Sequence, residues 1–185
     1  VGFDMYSQML SESVARKQGK NTQAEKTTVE IDLGIDAYLP TSYIEDERQK
    51  IEIYKRIREL DSQEAVDELQ DDLLDRFGEY PVEVAHLLTV GEIKMNGDRA
   101  LLDTIRKQQQ TVILTLSKVG TKNYSVEQLF EALKATKLKA TMGVDHEQMT
   151  IKLQIPAVMK ESTWLLEIQD FVKALREQKY VLQEN

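Results

Sequence analysis

The sequence predicts an α+β fold, a helical first half followed by a β-α-β-β-α second half. Two observations carry this reading. Through most of the first hundred residues the apolar side chains recur at helical spacing, whereas from about residue 102 the period changes and short segments alternate apolar with polar residues. The chain has only three Pro, and Pro40, Pro81 and Pro156 each stand at an expected element boundary.

In order along the chain, Phe3, Tyr6, Leu10 and Val14 give the segment 1–20 a helical stripe, and the polar run 21–26 reads as a linker ahead of a domain over 27–185. Val29-Glu-Ile31-Asp-Leu33-Gly-Ile35 alternates as a half-exposed strand does. A helix is expected from Ser42 to Leu60, with Ile53, Tyr54, Ile57 and Leu60 on its apolar face. Asp61-Ser62 supplies a turn and an N-cap hydroxyl for a second helix, which ends at Phe77 with Gly78 placed for the left-handed C-terminal position. Pro81 suits the first turn of a third helix carrying Val84, Leu87, Leu88 and Ile93.

Thr111–Ser117 reads as a strand, and Ser125 caps a short amphipathic helix to about Thr136. Leu138, Ala140, Met142 and Val144 alternate with polar or small residues, as do Met149, Ile151, Leu153 and Ile155. Residues 138–155 are therefore expected to form a hairpin, with those eight side chains on its buried face and Asp145-His-Glu-Gln148 as a four-residue loop. Trp164, Ile168, Phe171 and Leu175 mark a final amphipathic helix over 160–180.

The residue content excludes much chemistry. The chain has 185 residues and no Cys, so disulfides, thiolate metal sites and Cys nucleophiles are ruled out together. Gly120-Thr121-Lys122 lacks the first Gly and the residue order of a phosphate-cradling loop, and no Ser sits in a G-x-S-x-G elbow. His86 and His146, the only two histidines, lie far apart in sequence and provide no ligand pair. Asp46-Glu47 follows no apolar strand and reads as a solvated first helical turn, not an ATPase acidic pair. Lys134, Lys137 and Lys139 lack aromatic interleaving and read as a wet face. No apolar run is long enough to span a membrane and no signal-peptide pattern opens the chain, so the expectation is a soluble, cytoplasmic, non-enzymatic chain without cofactor or metal.

Charge is the feature above background. Lys and Arg number 24 against 32 Asp and Glu, a net charge of −8. Residues 41–79 alone hold 6 basic and 13 acidic groups, and 6 − 13 = −7, so one stretch carries nearly all of the excess. On the helix ending at Phe77, the stripe Val66, Leu69, Leu73 and Phe77 faces opposite Glu64, Glu68, Asp71 and Asp75, with Asp72 on the flank. No Lys stands at i+4 to offset the repulsion, which makes a basic partner worth proposing. A nucleic-acid contact needs a basic surface instead, and only scattered Lys are present.

Two segments are more specific than composition. Val1-Gly-Phe-Asp-Met-Tyr-Ser-Gln-Met-Leu-Ser-Glu-Ser-Val14 resembles the G-F-x-x-Y-x-x-L-L-x-E-A-V segment that closes the second motor domain of bacterial transcription-repair coupling factors, with Met9 and Ser13 in place of Leu and Ala. Tyr54-Lys-Arg-Ile57, then Leu73-Leu-Asp-Arg-Phe-Gly78 and Pro81, resemble the Y-K-R-I … L-I-D-R-F-G … P signature of the same family's C-terminal domain. The resemblance implies that 1–20 is the tail of the motor and 27–185 the C-terminal regulatory domain. The family's full protein is an ATP- and Mg-dependent double-stranded DNA translocase that displaces stalled RNA polymerase and recruits UvrA through an N-terminal UvrB-like module. Its C-terminal domain docks on that module, masks the UvrA-binding surface and restrains the motor, using acidic residues at positions matched here by Asp72, an Asp in place of Glu, and Asp75. With Asp71 and Glu68 beside them, these are the candidate partner-binding residues. The motor's ATPase motifs are absent from this chain, and the alternative reading is an accessory nucleic-acid-binding module of the translocase.

Overall fold

The computed structural model describes residues 28–181, so the helix expected over 1–20 and the linker 21–26 lie outside the described residues. The fold is α+β, with six helices and a five-stranded mixed sheet among the described residues. It divides into two compact units, one of residues 35–95 and one built from 28–34 with 96–181; the division falls within a single helix, between Met95 and Asn96.

In the first unit, α1 spans Glu47–Arg58, α2 Gln63–Phe77, and α3 begins at Val82 and runs to Arg99. α1 starts later than the sequence suggests. The Asp46 carboxylate accepts the backbone N–H groups of Arg48 at 2.8 Å and Gln49 at 3.1 Å, so Asp46 is the N-cap. Residues 41–43 instead form a turn, in which Tyr43 and Ile44 donate to the Pro40 carbonyl. α2 behaves as expected: Ser62 Oγ accepts from the Ala65 N–H at 3.1 Å, and Gly78, at φ 84°, ends the helix. Ile53, Ile57, Val66, Leu69, Leu73, Val84, Leu87 and Leu88 are all buried in this unit. A Cβ added at Gly91 of α3 would lie 2.9 Å from Ile57 Cγ2, so only glycine lets Ile57 seat against that helix.

The second unit contains β1 (Glu30–Asp32), β2 (Leu102–Gln108), β3 (Thr111–Leu116), α4 (Lys118–Asn123), α5 (Val126–Leu133), β4 (Lys139–Asp145), β5 (Gln148–Gln154) and α6 (Glu161–Val181). The strand order is β1-β2-β3-β5-β4; β1 and β2 are parallel and the other pairs antiparallel. Ile105, Leu114 and Ile151 align across β2, β3 and β5, as do Val112 and Leu153 on β3 and β5, all fully buried on one face of the sheet. Leu129 and Ala132 of α5, and Trp164, Leu165, Ile168, Phe171, Val172 and Leu175 of α6, are among the buried helical residues of this unit.

Three details differ from the sequence expectation. The second half gains β2 and the short α4, which Ser117 caps; in β2 the register shifts between Leu102 and Thr104 and buries Leu102 and Ile105, three residues apart, which breaks the period of two. Asp145 pairs with Gln148, leaving only His146 and Glu147 in the turn, both at positive φ (50° and 65°), as a tight hairpin with right-handed twist requires. Of the eight side chains expected on the buried face, Leu138, Ile151, Leu153 and Ile155 are buried and Ala140, Met142 and Met149 partly so. Val144 is 66% exposed, because it sits at the tip of β4, the outermost strand of the sheet.

A Cβ on Gly120 would lie 2.6 Å from the Leu101 carbonyl oxygen, which also accepts the Ser117 N–H at 2.9 Å. Gly120→Ala is therefore expected to destabilise the fold by about 1–3 kcal/mol, since backbone must move to admit the methyl. Gly143→Ala, whose Cβ meets nothing nearer than Thr150 Oγ1 at 3.8 Å, should cost nothing measurable. Urea midpoints of the two variants check this, and equal midpoints would contradict the close approach at Leu101.

Candidate functional site

The rotation of α2 is set by Val66, Leu69 and Leu73, each at 0% exposure. A helix turns 100° per residue, so this stripe sends Glu64, Glu68, Asp71 and Asp75 to the opposite side, where all four are exposed. Three of the candidate residues, Glu68, Asp71 and Asp75, thus share one wet face.

Asp72 stands apart from them. It lies on the flank of α2 nearest α1, and its Oδ2 accepts a hydrogen bond from Arg56 Nη1 of α1 and another, at 3.1 Å, from Arg76 Nη1 one turn along its own helix. Arg76 Nη1 also donates to Glu52 Oε1 at 3.2 Å, so the chain Arg56–Asp72–Arg76–Glu52 ties α1 to α2. Arg76 stands at i+4 from Asp72, a cation that the absence of Lys at such positions conceals, and Arg56 lies on another helix and leaves no local signal. The Arg56 guanidinium foremost, with Arg76 beside it, holds the Asp72 carboxyl below its ordinary value against a smaller opposing effect of burial.

The C-terminal end of α2 is gripped as well. Tyr43 Oη donates to the Gly78 carbonyl at 2.7 Å and lies 3.2 Å from that of Leu73. Its ring meets Phe77 at 5.8 Å between centroids, and the Arg76 guanidinium carbon sits 5.0 Å from the centre of the Phe77 ring. Ser62 caps the other end, so the acidic face is held at both ends. Such a face can bind a cationic surface; it offers carboxylates but no general acid–base pair in a buried cleft.

The other polar candidates serve the fold or the solvent. The His86 ring, buried, has Nδ1 3.4 Å from the Asp36 carbonyl oxygen. His146 is in the hairpin turn, 2.7 Å from Asp145. Lys134 pairs with Glu131 at 2.8 Å on the surface, and the Lys137 backbone N–H donates to the buried Glu167 carboxylate. Among the described residues no group of three or more His, Asp or Glu is arranged to hold a metal ion, and no helix is long and apolar enough to cross a membrane.

A carboxyl whose pKa is lowered by folding contributes stability above its unfolded value and loses that contribution as the pH falls through the lowered one. Asp72→Asn is therefore expected to reduce stability only slightly at neutral pH, because the pair is partly exposed, with the small difference from wild type closing as acid protonates the native carboxylate. Parallel stability–pH curves, followed by circular dichroism, would show that the two arginines do not hold Asp72.

The model of the TRCF domain family matches residues 33–129. Over all 185 residues the chain is 40% identical to the transcription-repair-coupling factor of Staphylococcus aureus (strain USA300), and over 179 residues, 97% of the chain, it is 35% identical to that of Bacillus subtilis (strain 168). The chain spans about 15% of the length of these relatives. A crystal structure of the C-terminal domain of transcription-repair coupling factor matches the fold with a TM-score of 0.80 at 35% identity, over 84% of this chain and 98% of that one. The family match takes in α1, α2 and α3 together with Tyr54-Lys-Arg-Ile57 and Leu73–Gly78, the segments that build the acidic face, and on this footing the chain belongs to the TRCF domain family.

Proposed function

We propose that this chain is the C-terminal regulatory domain of an ATP-driven DNA translocase that couples transcription to nucleotide-excision repair. The domain docks on the UvrB-like N-terminal module of the same protein, masks the surface that UvrA binds and restrains the motor. RNA polymerase, double-stranded DNA, ATP and Mg²⁺ are engaged by other parts of that protein. Membership of a family whose relatives are transcription-repair-coupling factors supports the general role. The observation that carries the docking reading is the outer face of α2, where Glu68, Asp71 and Asp75 are exposed together on a helix fixed at both ends. An accessory DNA-binding role finds no support there, because this face has the sign of the phosphates.

Exposed ion pairs are individually worth under about 1 kcal/mol, but charge pairs that lose water at an interface contribute several times more. Replacing Glu68, Asp71 and Asp75 together by Ala should leave folding intact, since none lies on the buried stripe. In the full-length protein the triple variant is expected to raise both UvrA affinity and ATP turnover about tenfold, which corresponds to about 1.4 kcal/mol of lost docking energy. A folded triple variant with wild-type UvrA affinity and ATPase rate would reduce the acidic helix to a solvated face. Tight, salt-dependent binding of the wild-type chain to duplex DNA would favour the accessory module instead.

A further inference from the structure

One turn of α1, Tyr54-Lys-Arg-Ile57, faces three ways because successive residues are 100° apart. Tyr54 Oη accepts the Leu39 N–H at 2.8 Å and anchors the segment that precedes the helix. Ile57, buried, fills the notch that Gly91 leaves in α3. Both residues are explained by the packing of the unit. Arg56 is not. Its side chain is 34% exposed and its partner Asp72 33% exposed, and an ion pair this wet contributes little to stability.

What Arg56 does achieve is orientation. Arg56 and Arg76 both meet the same atom, Asp72 Oδ2. Two guanidinium groups on one oxygen restrict the side-chain torsions of Asp72, and a carboxylate has a second oxygen that can accept from an outside donor. Glu52 shares Arg76 with Asp72.

We propose that Arg56 is a positioning residue for docking: it presets the Asp72 carboxylate so that a cationic side chain of the docked module meets an already ordered acceptor beside Asp75. The inference rests on the docking reading above and adds to it a residue that itself touches no partner. Ordering a free side chain on binding carries an entropic cost, which Arg56 removes before the partner arrives.

Long-range charge makes the opposite forecast. Arg56 is a cation next to an acidic face, so deleting it would strengthen attraction to a basic partner if only net charge mattered. The sign of the effect therefore separates the two accounts. The test titrates the 185-residue chain against the isolated UvrB-like module by calorimetry, for wild type, Arg56→Gln, Arg56→Lys, Asp72→Asn, Asp75→Ala and the Arg56→Gln/Asp72→Asn pair, with melting temperatures recorded for each. Arg56→Gln is expected to weaken docking about fivefold, Arg56→Lys to recover part of that loss, and Arg56→Gln to have no further effect once Asp72 is Asn.

Docking that is unchanged or tighter in Arg56→Gln, while Asp75→Ala weakens it, would overturn the positioning role and leave the docking reading standing. An equal loss from Arg56→Gln in the wild-type and Asp72→Asn backgrounds would likewise overturn it, because the effect would then come from general destabilisation. Failure of the wild-type chain to bind the module would overturn the docking reading and the positioning role with it.

Discussion

Burial of Val66, Leu69 and Leu73 is the constraint on which the outer face of the first unit depends. Each of these side chains gains about 1.5–3 kcal/mol when taken fully out of water, whereas a like-charge pair one turn apart on a helix surface costs only about 0.2–0.5 kcal/mol. The apolar stripe therefore decides how α2 is rotated, and the carboxylates accept the directions left over. Glu64, Glu68, Asp71 and Asp75 go outward, and Asp72, on the flank, comes within reach of Arg56. A crowded set of negative charges on one face is a consequence of core packing that two arginines relieve at a single point.

The helical half was legible in the sequence because its signals are local. Ser62 and Gly78 bracket α2 where capping chemistry places them, and Pro81 precedes α3 by one residue. Asp46 is an equally local signal that moves the start of α1, since its carboxylate takes the first free N–H groups and the chain before it turns back on Pro40. β2 was hidden by an irregularity in pairing that no single strand reveals about itself, and Val144 was misplaced because alternation says which face a residue takes but not how far the covering helices extend. For the candidate site, the shared face of Glu68, Asp71 and Asp75 follows from helical angles alone. The flank position of Asp72 follows from the same angles, but its pairing does not, because that depends on Arg56, a residue on a different helix whose approach is set by tertiary packing.

Restraint of α2 at both ends bears on how this surface meets a partner. Ser62 fixes one end, while Tyr43 and the Arg76–Phe77 contact hold the other. A surface that is already ordered loses less freedom on binding, so more of its contact energy appears as affinity. The same restraint makes the site dependent on residues that carry no acidic charge. Tyr43 and Arg76 help present the carboxylates although neither would be found by scanning for negative charge.

The parallel pairing of β1 with β2 has a consequence for the order of synthesis. Glu30 lies beside Thr104, so all three helices of the first unit are made after β1 and before its partner strand exists. Parallel neighbours always need a long connection, and closing it yields nothing until both ends are available. β1 has only three residues and cannot hold a place by itself. On the ribosome, α1 and α2, whose contacts are close in sequence, can settle while β1 waits unpaired, and the sheet is completed from its second strand onward as later residues emerge. Among the described elements, the strand that is translated first is thus among the last to be locked into place.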